Sequence, residues 1–248
     1  MKILGVPLTS FNSPNVLRMI ETWRREGARE YIVVTNPHSV MTCLRDSEMR
    51  SATCQARLVL ADGVGLTLGA WLLGQEAPAR VPGPVLMLDL MDLGRTSGMR
   101  HYLYGGRDAV LERLAANLQE RLPGLIICGS FSPPFRDLTP QEDQLIIQQI
   151  SAASPHVVWV GLGAPKQEKW MAMHVGRVAA PALIGVGAAF DFHAGTIPWA
   201  PSWIRRSGLE WAYRLAHEPR RLLARNLDSP RFIYHVLQQR VLRGRELH

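Results

Sequence analysis

Short apolar runs alternate with longer amphipathic stretches over most of this chain, and that alternation limits the folds it can adopt. Six runs of four or five residues are rich in Val, Ile and Leu, the composition of parallel strands that are buried on both faces. Helix-length segments separate them, and this alternation predicts a parallel sheet with helices on both of its faces. The predicted strands are 31–35, 57–61, 101–104, 125–128, 157–160 and 183–186.

Local start and stop signals place helices between those strands. Asn36 is a candidate N-cap with Pro37 at the first helical position, and Thr139 precedes Glu142 at the spacing of a capping box. Apolar residues recur at helical spacing over 107–122, until a Pro-Gly pair ends the pattern. The predicted fold class of this part is therefore α/β.

The pattern changes near the end of the chain, where helical segments follow one another without a strand. We expect helices there around 201–217, from Pro219 and from Ser229. The chain is thus predicted to divide into an α/β domain, 1–198, and a helical C-terminal appendage, 199–248.

The appendage carries nearly all of the excess positive charge. Residues 204–248 contain ten arginines against four acidic residues, which leaves +6 of the +7 carried by the whole chain. A surface of this charge suits a polyanion, namely a diphosphate, an anionic membrane surface or a nucleic acid. Two interpretations stay open: a helix pair docked on the core with a solvated basic face, and a helix pair that is recruited to anionic lipid.

Composition excludes several classes of protein. At 248 residues, 47% hydrophobic and 20% charged, the chain has the balance of a folded globular protein. No apolar run approaches the roughly 18 to 20 residues that cross a bilayer, and the amino terminus lacks a signal-peptide pattern, so a cytoplasmic location is expected. Cys43, Cys54 and Cys128 lack C-x-x-C spacing and are predicted to be core thiols.

Polar residues and glycines follow four of the predicted strands, where ligands bind in open α/β sheets. A glycine there lets a backbone amide approach a phosphate, and the amino terminus of the next helix favours negative charge. The set resembles a nucleotide site, yet no G-x-G-x-x-G or G-x-x-x-x-G-K-[ST] motif is complete, and a tight turn is the simpler explanation of each glycine taken alone. An Asp-Gly pair is likewise a common turn signal. The residues in question are Thr35, Asn36, Asp62, Gly63, Gly105, Gly106, Gly161 and Gly163.

The sequence contains no metal-binding or nucleophile motif that identifies an enzyme class. The sequence has no H-E-x-x-H, no G-x-S-x-G and no Asp-x-Asp that would hold a divalent ion on a nucleotide diphosphate, so metal-free chemistry without a cofactor is expected. His193 is either a base or a structural residue, and Asp191 is either a functional carboxylate or a cap of the next turn.

A series of longer motifs gives the chain a resemblance that composition does not supply. The motifs are, in order, TNPHSV, LVLADGVGL, RVPG, YLYGG, GLGAPKQEKWM, GVGAAFDFHAGT and GLEWAYRLAHEPRR. From about residue 30 to 225 the sequence resembles the WecG/TagA/CpsF family of bacterial glycosyltransferases. The resemblance implies a GT-E-like fold, in which a Rossmann-like α/β domain carries a helical C-terminal appendage.

The resemblance also implies an activity. Members of the family transfer a sugar from a UDP-sugar to a saccharide on a polyprenyl diphosphate, inverting the anomeric centre without a metal ion. The sugars include N-acetylmannosamine, N-acetylmannosaminuronic acid and glucose, and the sequence does not distinguish among them. The implied location is peripheral, on the inner face of the cell membrane, with the basic tail facing anionic lipid. A homo-oligomer and a membrane-bound monomer both agree with the family.

Site residues follow from the resemblance one position at a time. Asp62 matches the family's proposed general base, which takes the proton from the acceptor hydroxyl as that hydroxyl attacks the anomeric carbon. One carboxylate at a strand end can supply this step. Asn36 matches the family asparagine that helps to position the substrate near that base, Gln167 of PKQE matches a pocket glutamine, and Arg80 of RVPG also matches the family pattern.

Three arginines of the appendage have counterparts in the family as well. Arg214, Arg220 and Arg221 match arginines that close over the site and neutralise the departing diphosphate. Guanidinium groups and backbone amides must stabilise that charge where no metal does so.

Two positions depart from the family pattern. The family has Thr two positions before the asparagine, whereas here Val34 stands there and Thr35 directly precedes Asn36. A basic residue before the Ala-Pro pair of the appendage entry is replaced by Trp199, which either alters acceptor or lipid contact or forms a domain-packing cluster with Trp203 and Trp211.

Two rival functions come from other classes of protein. A nucleic-acid-binding protein would explain the basic tail, but it would give the strand-end residues no purpose, so no nucleic-acid partner is expected. A nucleotide-dependent oxidoreductase would explain the sheet, but the dinucleotide fingerprint is absent.

Overall fold

The structure is a computed structural model that describes residues 1–207, 210–217 and 228–245. The strands within these ranges are β1 (Lys2–Ile3), β2 (Val6–Pro7), β3 (Glu30–Thr35), β4 (Leu58–Ala61), β5 (Arg100–Gly105), β6 (Ile126–Phe131), β7 (Val157–Gly161) and β8 (Ala182–Gly185). The helices are α1 (Ser13–Glu26), α2 (Pro37–Arg45), α3 (Ser47–Gln55), α4 (Val64–Leu72), α5 (Gly83–Leu93), α6 (Asp108–Arg121), α7 (Pro140–Ala152), α8 (Lys166–His174), α9 (Ala189–His193), α10 (Ser202–Ser207), α11 (Glu210–His217) and α12 (Asp228–Arg245).

The six longer strands form one parallel sheet in the order β4-β3-β8-β7-β5-β6. Each corresponds to one of the six predicted strands, so the α/β class and the Rossmann-like parallel sheet are confirmed. β6 extends further than predicted, to Phe131. The two-residue strands β1 and β2 form a small antiparallel hairpin that the apolar pattern did not indicate.

Helices cover both faces of the sheet, as predicted. Side chains alternate along β3, so that Tyr31 and Val33 join the apolar cluster on one face while Ile32 and Val34 join the cluster on the other. Helices α2, α3, α4, α7, α8 and α12 contribute to the first cluster, and α1, α5, α6 and α9 to the second. Because both faces are buried, apolar residues occupy nearly every strand position, which explains the unbroken apolar runs.

The predicted helix signals have the expected partners. The Asn36 side chain accepts the Ser39 N–H at 3.0 Å and so caps α2. Thr139 and Glu142 form a reciprocal capping box at the start of α7, and the helix predicted over 107–122 is α6.

The C-terminal part of the chain is helical where it is described. α10 and α11 fall within the predicted helix around 201–217, and α12 begins at Asp228, next to the predicted cap. Phe232 and Val236 of α12 are fully buried in the same apolar cluster as α2 and α4. The helix expected from Pro219 lies outside the described residues. Across the described ranges, no helix is long and apolar enough to cross a membrane.

The three cysteines are free, and one of them contradicts the prediction of core thiols. Cys43 is buried and Cys128 is half-buried, but Cys54 is exposed. In α3 the neighbouring Ala52 and Thr53 are buried, and Cys54 falls on the outer side of the helix. The core prediction is therefore wrong for Cys54.

Candidate functional site

A cavity of about 190 Å³ lies at the carboxyl ends of four adjacent strands, β4, β3, β8 and β7. This is the place where open α/β sheets bind ligands. Its walls come from the segments that follow these strands and from the start of α5. Among the residues that line it are four predicted site residues, Asn36, Asp62, Gly163 and Gln167.

Asn36 stands between β3 and the cavity. Its Oδ1 accepts the backbone N–H of Ser39, so the cap of α2 occupies the oxygen and the amide nitrogen is left as the donor end. Ser39, which belongs to the TNPHSV motif, also lines the cavity, although it is not among the predicted site residues. The first turn of α2 therefore forms one wall of the site.

Asp62 follows β4 directly and is partly buried in the cavity wall. Its backbone N–H donates to the Thr35 carbonyl at 2.7 Å, which ties it to the end of the neighbouring strand. Gly63, with a φ of +89°, turns the chain into α4, which begins at Val64. Asp62 therefore stands between the end of β4 and the start of α4, with its side chain in the cavity wall.

A second carboxylate, that of Asp191, also lines the cavity. It belongs to the short helix α9, and its Oδ1 accepts the Thr196 hydroxyl at 3.2 Å. The sequence left Asp191 open between a functional carboxylate and a cap of the next turn; the Thr196 contact is of the capping kind, and its place in the cavity wall leaves the functional alternative open. The described lining contains these two carboxylates and no lysine or arginine.

Gln167, in the first turn of α8, is 4% exposed and spans two segments of the site. Its Oε1 accepts the Gly187 N–H at 3.1 Å, and its Nε2 donates to Glu168 Oε1 at 2.9 Å. A backbone N–H only donates, so the Gly187 contact fixes the orientation of the amide and leaves Nε2 facing Glu168. One Nε2 hydrogen is then left for another acceptor.

Glu168 was not recognised from the sequence. Its side chain is fully buried, and ionisable side chains rarely are unless they are paired. Its place after Gln167 in the PKQE motif was the available signal, but an acidic residue in the first turn of a helix is commonly only a dipole partner.

Of the neighbours Val34 and Thr35, only Val34, which stands where the family has threonine, reaches the cavity. Val34 lines the cavity, whereas Thr35 is fully buried and is absent from the lining. Successive side chains of a strand point to opposite faces, so only one of the two can face the cavity. The Thr35 hydroxyl has no hydrogen-bond partner among the described residues.

Gly105 and Gly106 lie one strand beyond the cavity, at the end of β5. Gly105 pairs with Gly161 of β7, and a Cβ built on Gly105 would lie 2.8 Å from the Gly161 carbonyl carbon. Both glycines have positive φ, +112° and +76°. The structure therefore shows them as close-approach and turn glycines.

Arg80 sits beside the β4 end of the site. It forms a parallel bridge with Ala61, the residue before Asp62, and the next residue, Val81, donates its N–H to the Ala61 carbonyl at 2.8 Å. Pro82, which follows, lines the cavity.

The arginines of the appendage cannot be placed in the site. Arg214 belongs to α11, where only its backbone is described, and Arg220 and Arg221 lie outside the described residues. The three stay predictions.

His193 and Trp199 support the wall of the cavity. His193 is buried, and its Nε2 lies 2.8 Å from the Pro84 carbonyl oxygen, which belongs to a wall residue. Trp199 stacks on Phe192 and meets His193 edge-on. These contacts favour the structural interpretation of both residues, whereas Trp203 is 68% exposed and does not share their packing.

Comparison with known proteins concerns the chain as a whole. The family model described as "Glycosyl transferase WecG/TagA/CpsF family" matches residues 1–246. Two similar relatives are both named N-acetylglucosaminyldiphosphoundecaprenol N-acetyl-beta-D-mannosaminyltransferase. The Bacillus subtilis (strain 168) protein is 28% identical over 84% of this chain and 79% of its own length. The Staphylococcus aureus (strain MW2) protein is 28% identical over 94% of this chain and 91% of its own length.

Proposed function

The chain belongs to the WecG/TagA/CpsF family of glycosyl transferases, and from this premise we propose that it transfers a sugar from a UDP-sugar to a polyprenyl-diphosphate-linked saccharide. N-acetylmannosamine is the first candidate for the sugar, because both relatives carry it in their names. N-acetylmannosaminuronic acid and glucose are the other candidates. The proposed acceptor is N-acetylglucosaminyl-diphosphoundecaprenol, again by analogy with the relatives.

One observation carries this proposal. The fold brings Asp62, Asn36, Gly163 and Gln167 into one cavity, although these residues follow three different strands that are far apart in the sequence. A carboxylate, two amides and a glycine-lined backbone can together bind a polar donor and remove a proton from an acceptor.

Asp62 is the proposed general base. The acceptor hydroxyl attacks the anomeric carbon on the face opposite the UDP leaving group, the bond between that carbon and the diphosphate oxygen breaks, and the hydroxyl proton passes to the Asp62 carboxylate. This displacement inverts the anomeric centre. What supports this role is the position of Asp62, which directly follows β4 and lines the cavity together with Asn36 and Gln167.

The leaving diphosphate needs positive charge that the described lining does not contain. Arg80, adjacent to the β4 end, and Arg214, Arg220 and Arg221 of the appendage are the proposed sources. Guanidinium groups form paired hydrogen bonds to phosphate oxygens and would stabilise the departing UDP without a metal ion.

Turnover that is unchanged by EDTA would support metal-independent transfer. Loss of turnover in EDTA, with recovery on added Mg²⁺ or Mn²⁺, would reject metal-independent transfer.

The basic C-terminal segment is proposed to hold the enzyme at an anionic membrane surface, on the inner face of the cell membrane. The ten arginines of residues 204–248 support this, since the acceptor named for the relatives is a lipid. Binding to vesicles with phosphatidylglycerol should weaken sharply as salt increases, and vesicles of phosphatidylcholine alone should bind little. Equal binding to both lipids would contradict the role of the basic segment.

The proposed function is tested with purified protein and a panel of sugar nucleotides. UDP release is measured with UDP-N-acetylmannosamine, UDP-N-acetylmannosaminuronic acid and UDP-glucose, each with polyprenyl-diphosphate-linked N-acetylglucosamine or glucose. We expect UDP release only with one donor and only when an acceptor is present. No acceptor-dependent release with any donor would reject the proposal.

A further inference from the structure

The C-terminal helix α12 is joined to α2 by a buried ion-pair cluster at its first residue. Asp228 is 2% exposed. Its Oδ2 lies 2.8 Å from Arg45 Nη2 and 2.6 Å from His38 Nδ1, and Arg231 approaches the other carboxylate oxygen at 3.8 Å. We call the contacts of Asp228 with His38 and Arg45 the clasp.

The clasp holds the same face of α2 at two points. His38 stands in the first turn of this nine-residue helix and Arg45 is its last residue, seven positions later. Positions i and i+7 lie on one side of a helix, so a single carboxylate oxygen can fasten both turns. Burial alone would raise the pKa of Asp228, and the hydrogen bonds from Arg45 and His38 outweigh it, so the pKa lies below its usual value.

The clasp residue His38 is next to the cavity in the chain. His38 lies between Asn36 and Ser39 in the chain, and both of these residues line the cavity. The Asn36 cap on Ser39 closes this turn, so Asn36, His38 and Ser39 belong to one hydrogen-bonded turn at the start of α2.

We propose that Asp228 is a positioning residue for the transfer reaction, which it serves by fixing the first turn of α2, and with it Asn36, from the C-terminal helix. This inference rests on the proposed function only for its kinetic consequence. Displacement of a substrate-holding group by about 1 Å can lower a rate by up to about 10²-fold.

Other contacts keep α12 in place without the clasp. Phe232 and Val236 are fully buried, and Phe232 packs on Gly69 of α4. Gln239 Oε1 accepts the Leu4 N–H at 2.9 Å. The Gln239 contact reaches the β1–β2 turn and Phe232 packs on α4, and α12 also packs directly along α2. These contacts dock α12 without Asp228, so helix docking and the ion pairs of Asp228 can be separated by substitution.

The test compares Asp228→Asn with Gln239→Ala in the full-length protein. Asp228→Asn keeps the volume of the side chain but removes its charge, and Gln239→Ala removes a contact of the same helix that reaches Leu4 instead of His38 or Arg45. For Asp228→Asn we expect kcat to fall about tenfold, KM for the sugar nucleotide to change less than threefold, and α12 to stay docked by circular dichroism and proteolysis. Arg45→Gln, which leaves His38 paired, should lose less, and Asp228→Glu should recover part of the rate. Gln239→Ala should keep the wild-type kcat.

A measurement independent of turnover accompanies the kinetics. The backbone amide resonance of Ser39, which donates to Asn36, should move in Asp228→Asn and stay in place in Gln239→Ala. A kcat of Asp228→Asn within twofold of wild type, or an equal loss in Gln239→Ala, would overturn the positioning role. If the wild-type protein transfers no sugar, the proposed function fails by itself, and an unmoved Ser39 resonance would then overturn the clasp.

Discussion

At the scale of single residues, Gln167 is the best defined side chain of the site. The Gly187 N–H and the Glu168 carboxylate hold opposite ends of its amide, and each contact agrees with the same orientation. The side chain therefore meets a substrate with its donor nitrogen already ordered, which reduces the entropy lost on binding.

Gln167→Glu should raise KM for the sugar nucleotide at least tenfold. The substitution keeps the size of the side chain but replaces a donor nitrogen with an acceptor oxygen that faces Glu168, so two buried carboxyl groups would share the position. The measurement is the initial rate of UDP release against donor concentration. Gln144→Glu, at an exposed position of α7, is the matched control and should leave KM unchanged. An unaltered KM in Gln167→Glu would remove Gln167 from the donor site.

At the scale of elements, the strand ends approach one another so closely that glycine is required between β5 and β7. Gly105→Ala should lower the free energy of unfolding by at least about 2 kcal/mol more than Gly124→Ala. Both glycines have positive φ, but only Gly105 faces backbone atoms within 3 Å of the added Cβ, whereas nothing lies within 4 Å at Gly124. Urea unfolding of the two variants measures the difference. Equal losses would show that β5 and β7 can separate.

Acid stability tests the pairing of the same two strands. Burial, reinforced by the nearby His156, lowers the pKa of His101 to about 3, and the Trp159 Nε1–H donates to its Nδ1 at 3.2 Å. Below about pH 6.5 the unfolded histidine binds a proton, whereas the folded one stays neutral. The free energy of unfolding is therefore highest above that pH and decreases as the pH falls below it.

His101→Gln should therefore reduce the pH dependence of unfolding. Between pH 7 and pH 4.5 the wild-type protein should lose about 2 to 3 kcal/mol more than the variant, because glutamine does not titrate. The readout is the difference between the two pH values in urea unfolding, so any constant cost of the substitution cancels. The same loss in both proteins would show that His101 does not cause it.

The elements were predictable from the sequence wherever a single pattern governed them. Continuous apolar runs predicted the strands that are buried on both faces, and Asn36 and Thr139 predicted the starts of α2 and α7. The β1–β2 hairpin was missed because two-residue strands are too short to show a period. The sheet order was not predictable either, since β8 pairs with β3, a strand about 150 residues earlier in the chain.

The candidate site was predictable where residues follow strands directly, as Asn36 and Asp62 do. The site was not predictable where membership of the cavity wall depends on which way a side chain points. Thr35 and Val34 are neighbours in the sequence, and the alternation of side chains along β3 puts the valine in the cavity wall and leaves Thr35 buried outside the lining. The wall formed by Pro82 comes from a segment that pairs with β4 through one isolated bridge, for which the sequence carries no signal.

At the scale of the whole molecule, α12 completes the apolar layer on one face of the sheet. Phe232→Ala should lower the free energy of unfolding by about 3 to 5 kcal/mol, because the ring is fully buried. Tyr234→Ala, two residues later and 59% exposed, should cost less than about 1 kcal/mol. Chemical unfolding of both variants measures the difference. Similar small losses would mean that α12 is not part of the core.

The most direct test of the whole account is the turnover of Asp62→Asn beside that of Asp191→Asn, with wild-type protein as the reference. Both carboxylates line the cavity, and only Asp62 is assigned the proton transfer. Asp62→Asn should lower kcat for acceptor-dependent UDP release about 10²- to 10⁴-fold, the range expected for loss of a general base, while the sugar nucleotide binds with nearly unchanged affinity. Asp191→Asn should lose much less. Near-normal turnover in Asp62→Asn, above all if Asp191→Asn is inactive, would contradict Asp62 as the base.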